Sequence, residues 1–340
     1  MKDVLKMRIS EIKKEAKDSL KGNWGLAIGA ILLNGLLTGA IMFIPILIMI
    51  IVLTFAIYTI PSIFTVVFVA ILLIVVLLAA IYLLAMPLMI GLEWLFLNFI
   101  DDNKRFAKSK TDPTDYTEHL FRKRPEVGNL FDAFKKNYWK NVGTVALMSL
   151  FGGLWGGLFG AIDALAGILF GPTAQLVVSL ITWIPLIIII LRYALVIPLL
   201  KDHPEYRAIE IIRESKRLMR GNIGKYFLLS LSFILWFIPG IFAYTVGLMM
   251  IAASAINQIT FVAIHDPHAM ALQNPGIMAL AGILILIGFL YLIGINFYVM
   301  PYLRASYAAF YRRLKPLKIE DEEKDETEFI RDPDIQYGLN

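Results

Sequence analysis

From Gly22 to Ile100 the chain runs 79 residues with one charged side chain, Glu93. Two later blocks repeat the pattern: Asn141–Leu191 holds only Asp163, and Tyr226–Leu303 only Asp266. About 20 apolar residues suffice to span a bilayer core, so each block is longer than one crossing needs. The chain reads as a multi-pass membrane protein. Composition agrees, with 17% of its 340 residues charged against about a quarter in a soluble domain.

Charge placement sets the expected topology. Of 32 Lys and Arg, seven precede Gly22, ten lie between Asp101 and Lys140, seven between Lys201 and Lys225, and seven from Arg304 onward; Arg192 is left over. Cytoplasmic loops collect basic residues, so these four segments are expected on one side, with an even number of crossings between each. The reading is an all-α, polytopic helical bundle of six transmembrane helices in three hairpins. Cytoplasmic amphipathic helices lie along the interface and both termini are inside. The expected segments are an amphipathic helix at 1–21, hairpins at 22–100, 142–200 and 226–303, a basic loop at 101–141, an amphipathic segment at 201–225 and an acidic tail at 304–340. Expected spans are roughly 25–52, 62–86, 143–168, 176–200, 226–250 and 277–300. Pro87 is expected to break the second, because it lacks an amide donor and clashes with the preceding turn; residues 88–100 would then lie tilted at the inner interface.

An internal repeat marks two of the boundaries. EIKKEAKDSLKGNWG (11–25) and EIIRESKRLMRGNIG (210–224) are identical at seven of fifteen positions. Each pairs an amphipathic segment with a G-N-x-G turn. Leu5, Ile9, Ile12, Ala16 and Leu20 share one helical face with lysines around the other, a pattern suited to a helix lying in a headgroup layer. Gly22 and Gly221 are expected to take the left-handed conformation that ends such a helix. Asn23 and Asn222 would accept amide hydrogen bonds at the start of the next helix, and Gly25 and Gly224 complete the corner. YWKNVG (138–143) reads as a degenerate third copy.

These motifs, with MPLMIGLEWLFLNFI (86–100), LRYALVIPLLKDHPEYRAIEIIRESKRLMRGN (191–222) and YVMPYLRASYAAFYRRL (298–314), resemble the integral-membrane family known as domain of unknown function 975. The resemblance covers most of residues 1–314. It implies a polytopic plasma-membrane protein of mainly Gram-positive bacteria, with no established activity and no cofactor. A more distant likeness to the membrane domains fused to glycerophosphodiester phosphodiesterases points to a lipid-facing role.

Few residues suggest chemistry. Glu93 and Arg192 fall at similar depths from the cytoplasmic ends of their helices and form a candidate intramembrane ion pair; the bland alternative has Arg192 reaching to the headgroups. Asp163, Asn257 and Gln258 are candidate intramembrane polar residues, and Asn34 and Asn296 suit interhelical hydrogen bonds. Around Asp163 two small-residue stripes, Gly152/Gly156/Gly160/Ala164 and Gly153/Gly157/Ala161, suit close helix packing, with an oligomer contact as the alternative. His265, Asp266 and His268 read as a loop rather than a metal site. The absence of cysteine removes disulfides, zinc–thiolate sites and thiol nucleophiles. No nucleophile–base set stands out, so the expectation is a non-enzyme without metal or cofactor. Its expected partners are anionic lipid headgroups at the cytoplasmic face, a protein or a second copy, and no nucleic acid. A structural, regulatory or envelope-maintenance role in the bacterial plasma membrane leads. A transporter or channel for a small or lipidic substrate follows, and an intramembrane enzyme comes third.

Overall fold

The computed structural model describes residues 8–59, 62–111, 125–264 and 275–315, with the side chains of 106–111 and 257–264 outside the description. Every regular element among them is helical. Six helical stretches are long and apolar enough to cross a membrane: Trp24–Thr59, Ile63–Arg105, Tyr138–Phe170, Pro172–Asp202, Ile223–Ile256 and Pro275–Leu314. Five of the six expected spans fall within them, and the sixth, 62–86, begins one residue before Ile63.

We label the helices in chain order: α1 (Ile9–Ser19), α2 (Trp24–Thr59), α3 (Ile63–Ala80), α4 (Met86–Thr111), α5 (Asp132–Lys135), α6 (Tyr138–Phe170), α7 (Pro172–Leu191), α8 (Val196–Asp202), α9 (Ala208–Met219), α10 (Ile223–Ile234), α11 (Ile238–Ile264) and α12 (Pro275–Leu314). Two compact units divide the chain, Met1–Gly224 with Arg304–Asn340 and Lys225–Leu303.

The helix corners follow from backbone conformation. Gly22 has φ +79° and Gly221 φ +81°, the left-handed region that an L side chain enters only at a cost. The same bond closes both turns, Asn23 N–H to Leu20 O at 2.9 Å and Asn222 N–H to Met219 O at 3.0 Å. Three expectations need correction. Asn222 caps backward, its Nδ2 donating to Leu218 O at 3.0 Å, so it closes the helix that ends rather than opening the next. Gly25 and Gly224 lie in the first turns of α2 and α10, and a Cβ on either would meet open space. The third corner is Asn137, φ 51°, within KNYW, and not the N-x-G at 141–143, which lies inside α6. Asn tolerates the left-handed region better than most residues, so Lys136-Asn137 does the work of Lys21-Gly22.

The apolar faces of α1 and α9 turn to protein. Ile12, Ala16 and Leu20 are 0–1% exposed, and their repeat equivalents Ile211, Ser215 and Met219 are 0% exposed. The expectation that these faces dip into the headgroup layer is therefore corrected. α1 packs on α4, and α9 on α6 and α8.

Residues 88–100 also depart from expectation. They form the buried centre of the first unit: Leu88, Ile90, Leu92, Leu95, Phe96, Phe99 and Ile100 are each no more than 3% exposed. A helix apolar all round belongs inside. Nor does Pro87 break the chain. A π-helical turn, Ile81–Ala85, joins α3 to α4, with Met86 N–H bonded five residues back to Ile81 O. Leu83 lies four residues before Pro87, so its carbonyl is the one that an amide at position 87 would bond in a regular helix. The hydroxyl of Tyr138 donates to it at 2.8 Å.

In the second unit, glycines bring α11 and α12 together. A Cβ on Gly247 would lie 2.8 Å from Ala281 O, and one on Gly288 2.7 Å from Tyr244 N. Tyr291 OH donates to Trp236 O at 3.0 Å. The small-residue stripes of α6 behave oppositely: a Cβ on Gly152, Gly153, Gly156, Gly157 or Gly160 meets nothing within 4 Å. Among the described residues no neighbouring helix packs closely on these glycines, contrary to the expected tight packing.

Candidate functional site

Polar groups converge where the returning helices α4, α8 and α12 end. Each of those ends carries the first charges after an apolar run: Asp101 on α4, Lys201 and Asp202 on α8, and Arg304 and Arg312 on α12.

Arg312 is the centre. Its side chain is 2% exposed. Nε donates to Asp101 Oδ1 at 2.6 Å and Nη2 to Asp101 Oδ2 at 2.8 Å, the two-point geometry that suits a planar guanidinium to a carboxylate. The remaining donors serve Asp202, with Nη2 2.9 Å from Oδ1 and Nη1 on Oδ2. Tyr311 OH also donates to Asp202 Oδ2, at 2.7 Å. Lys201 Nζ donates to Asn98 Oδ1 and lies 3.9 Å from Asp101 Oδ2. Two carboxylates thus face two cations, and the cluster is neutral. A buried charge left without such compensation costs several kcal/mol.

A second rung lies one level along the same helices. Glu93 is bonded by Arg304 Nη1. Glu93–Arg304 and Asp101–Arg312 are both 211 residues apart in sequence, so α4 and α12 run parallel with the rungs about 12 Å apart. The expected partner, Arg192, is elsewhere. It caps α7 where the chain breaks before α8, its side chain is exposed, and its carbonyl accepts Ser215 Oγ at 2.9 Å. The Glu93–Arg192 pairing is therefore corrected to Glu93–Arg304.

Neighbouring contacts fasten the surrounding helices. Arg313 bonds Glu15 at 2.9 Å and Glu11 at 3.0 Å, and Lys104 lies 3.1 Å from Glu15, tying α1 to α12 and α4. Trp94 Nε1 donates to Ile197 O at 3.0 Å. Lys140 Nζ donates to His203 O at 3.0 Å and Pro204 O at 2.6 Å. His203 Nδ1 pairs with Glu205 at 2.6 Å, its ring stacks on Tyr206, and Lys315 meets its Nε2. The hydrogen bond from His203 holds the Glu205 carboxyl below its ordinary range; burial pushes the Lys315 ammonium down.

Asp163 accepts a hydrogen bond from Thr182 Oγ1 at 3.0 Å, linking α6 to α7. Asn34 Nδ2 donates to Met89 Sδ at 3.4 Å. The side chains of Asn257 and Gln258, and all of His265, Asp266 and His268, lie outside the described residues. Among the described residues no three His, Asp or Glu side chains are grouped to hold a metal ion.

The family described as "Protein of unknown function (DUF975)" matches residues 116–318. The chain belongs to this family. Lys201, Asp202, Arg304 and Arg312 lie within the match, whereas Glu93 and Asp101 precede it. No curated protein and no solved structure matches the chain.

Sequence reasoning missed Asp101, Asp202, Tyr311, Arg304 and Arg312 as a set. One signal for it was present. Glu93 and Asp101 are eight residues apart, as are Arg304 and Arg312, so two acids match two bases in spacing and order.

Proposed function

We propose that this is a non-enzymatic protein of the bacterial plasma membrane with both termini cytoplasmic, and that its role is structural, regulatory or envelope-maintaining, exerted through lipids or partner proteins. One observation carries the reading: the charges that converge do so around Arg312, which is 2% exposed and bonded to both Asp101 and Asp202. A neutral cluster of mutually ion-paired side chains suits a fastening. A site that takes up a solute or a proton needs a group with spare bonding capacity. The inside location of the termini rests on the sorting of 31 of 32 basic residues into four segments.

The test is reconstitution of the purified chain into phospholipid vesicles with and without anionic lipid. Thermal stability that rises with anionic lipid, with solute leak equal to that of protein-free vesicles, is the expected result. A saturable solute flux abolished by Glu93→Gln would replace this reading with the transporter.

A further inference from the structure

With the apolar faces of α1 and α9 buried, the opposite faces of these helices remain exposed. On α9 that face carries Arg213 and Lys216, with Arg220 just past its end, and on α1 the repeat-equivalent Lys14 and Lys17, with Lys21 in the turn that follows, all exposed. The i, i+3 spacing puts the two helical cations of each trio on one face, and the third follows at the helix end. The repeat keeps these three positions cationic in both copies. Of their neighbours it keeps the acids Glu11/Glu210 and Glu15/Glu214 but replaces Lys13 by Ile212 and Asp18, which pairs with Lys21 at 2.6 Å, by Arg217. Each stripe ends one residue before a left-handed glycine, Gly22 or Gly221, and three residues before an apolar span begins at Trp24 or Ile223. The last cation of each stripe is therefore within about 10 Å of the membrane entry.

A second observation sets the depth of one stripe. Lys216 Nζ lies 5.0 Å from the ring centroid of Tyr193 and 5.8 Å from that of Phe151. Phe151 adjoins the lipid-length part of α6, where Leu150 and Leu154 are 57% and 63% exposed. Aromatic side chains with an apolar body and cationic neighbours characterise the headgroup level.

We propose that these two repeat-related stripes, Lys14/Lys17/Lys21 and Arg213/Lys216/Arg220, are binding surfaces for the phosphate groups of anionic phospholipids. The inference rests on the lipid-facing reading above and gives it a site. Recognition is by charge, since the apolar faces that would otherwise insert are occupied by protein.

The test uses full-length protein in neutral detergent, titrated with phosphatidylglycerol or phosphatidylcholine, with bound lipid counted by native mass spectrometry. Wild type is expected to prefer phosphatidylglycerol. Either K14Q/K17Q/K21Q or R213Q/K216Q/R220Q weakens its stripe on the order of 100-fold, from about 1 kcal/mol per cation near an anionic surface, and the combined variant loses the preference. K135Q/K136Q/R207Q removes three exposed cations outside the stripes and should leave it intact. Equal loss in that control, or a preference surviving in the combined variant, overturns the stripes while the lipid-facing reading stands. Absence of any preference in wild type overturns both. Displacement of the lipid by an equal concentration of inorganic phosphate would show a free-anion site and overturn the lipid assignment.

Discussion

Arg312 and Asp101 form a two-point ion pair between α12 and α4 at 2.6 and 2.8 Å, across 211 residues of sequence. Removing one partner strands a charge in a site 2% exposed. Arg312→Gln is expected to cost about 3–5 kcal/mol, read as a lowered denaturation midpoint in detergent. Arg312→Lys should recover little, because an ammonium cannot make the two-point contact. An unchanged midpoint for Arg312→Gln would show that the cluster does not hold the fold.

The Glu93–Arg304 rung predicts a pattern across variants. Glu93→Gln and Arg304→Gln should each destabilise, and the swap of Glu93→Arg with Arg304→Glu should recover part of the loss. Arg192→Gln should stay within about 0.5 kcal/mol of wild type, as exposed positions usually do. If Arg192→Gln proved as damaging as Arg304→Gln, the assignment of partners would fail.

Tyr138 and Pro87 are coupled through the Leu83 carbonyl. Tyr138→Phe leaves that carbonyl without its 2.8 Å donor, at a cost of about 1–3 kcal/mol. Pro87→Ala supplies an amide able to bond it within the helix. The double variant should then be more stable than Tyr138→Phe alone; simple additivity of the two changes would refute the coupling.

Glycines in two helices should respond with opposite signs. Gly247→Ala places a Cβ 2.8 Å from Ala281 O and should destabilise. Gly156→Ala adds a methyl in open space and should stabilise by up to about 1 kcal/mol, since Gly is the weaker helix former. Destabilisation at Gly156 would indicate a helix packed on that stripe in the assembled protein.

Much of the fold was legible because it depends on local properties. Hydropathy over some twenty residues identifies a span wherever it packs, so the six helices were countable. The corners at Gly22 and Gly221 were legible because only glycine enters that backbone region freely. The third was misplaced by four residues, since the N-x-G pattern drew attention to Asn141 when the turn needed Asn137. Pro87 misled for a different reason. Its effect depends on whether another element supplies a donor to Leu83, and Tyr138 lies 55 residues away.

The candidate site was less legible. Glu93 stood out as a lone charge in an apolar run, but its partner is a matter of three-dimensional register. Depth from the membrane edge suggested Arg192, whereas the parallel alignment of α4 and α12 brings Arg304. The sequence alone determined the helical class, the six spans, the sorting of charge to the ends of the apolar blocks and the two glycine corners, because each is a property of a short window. Tertiary structure decided which charges pair, that α4 is the buried centre of its unit, and that the amphipathic helices turn their apolar faces to protein. Those outcomes depend on which distant segments exclude water from one another, and no short window contains both partners.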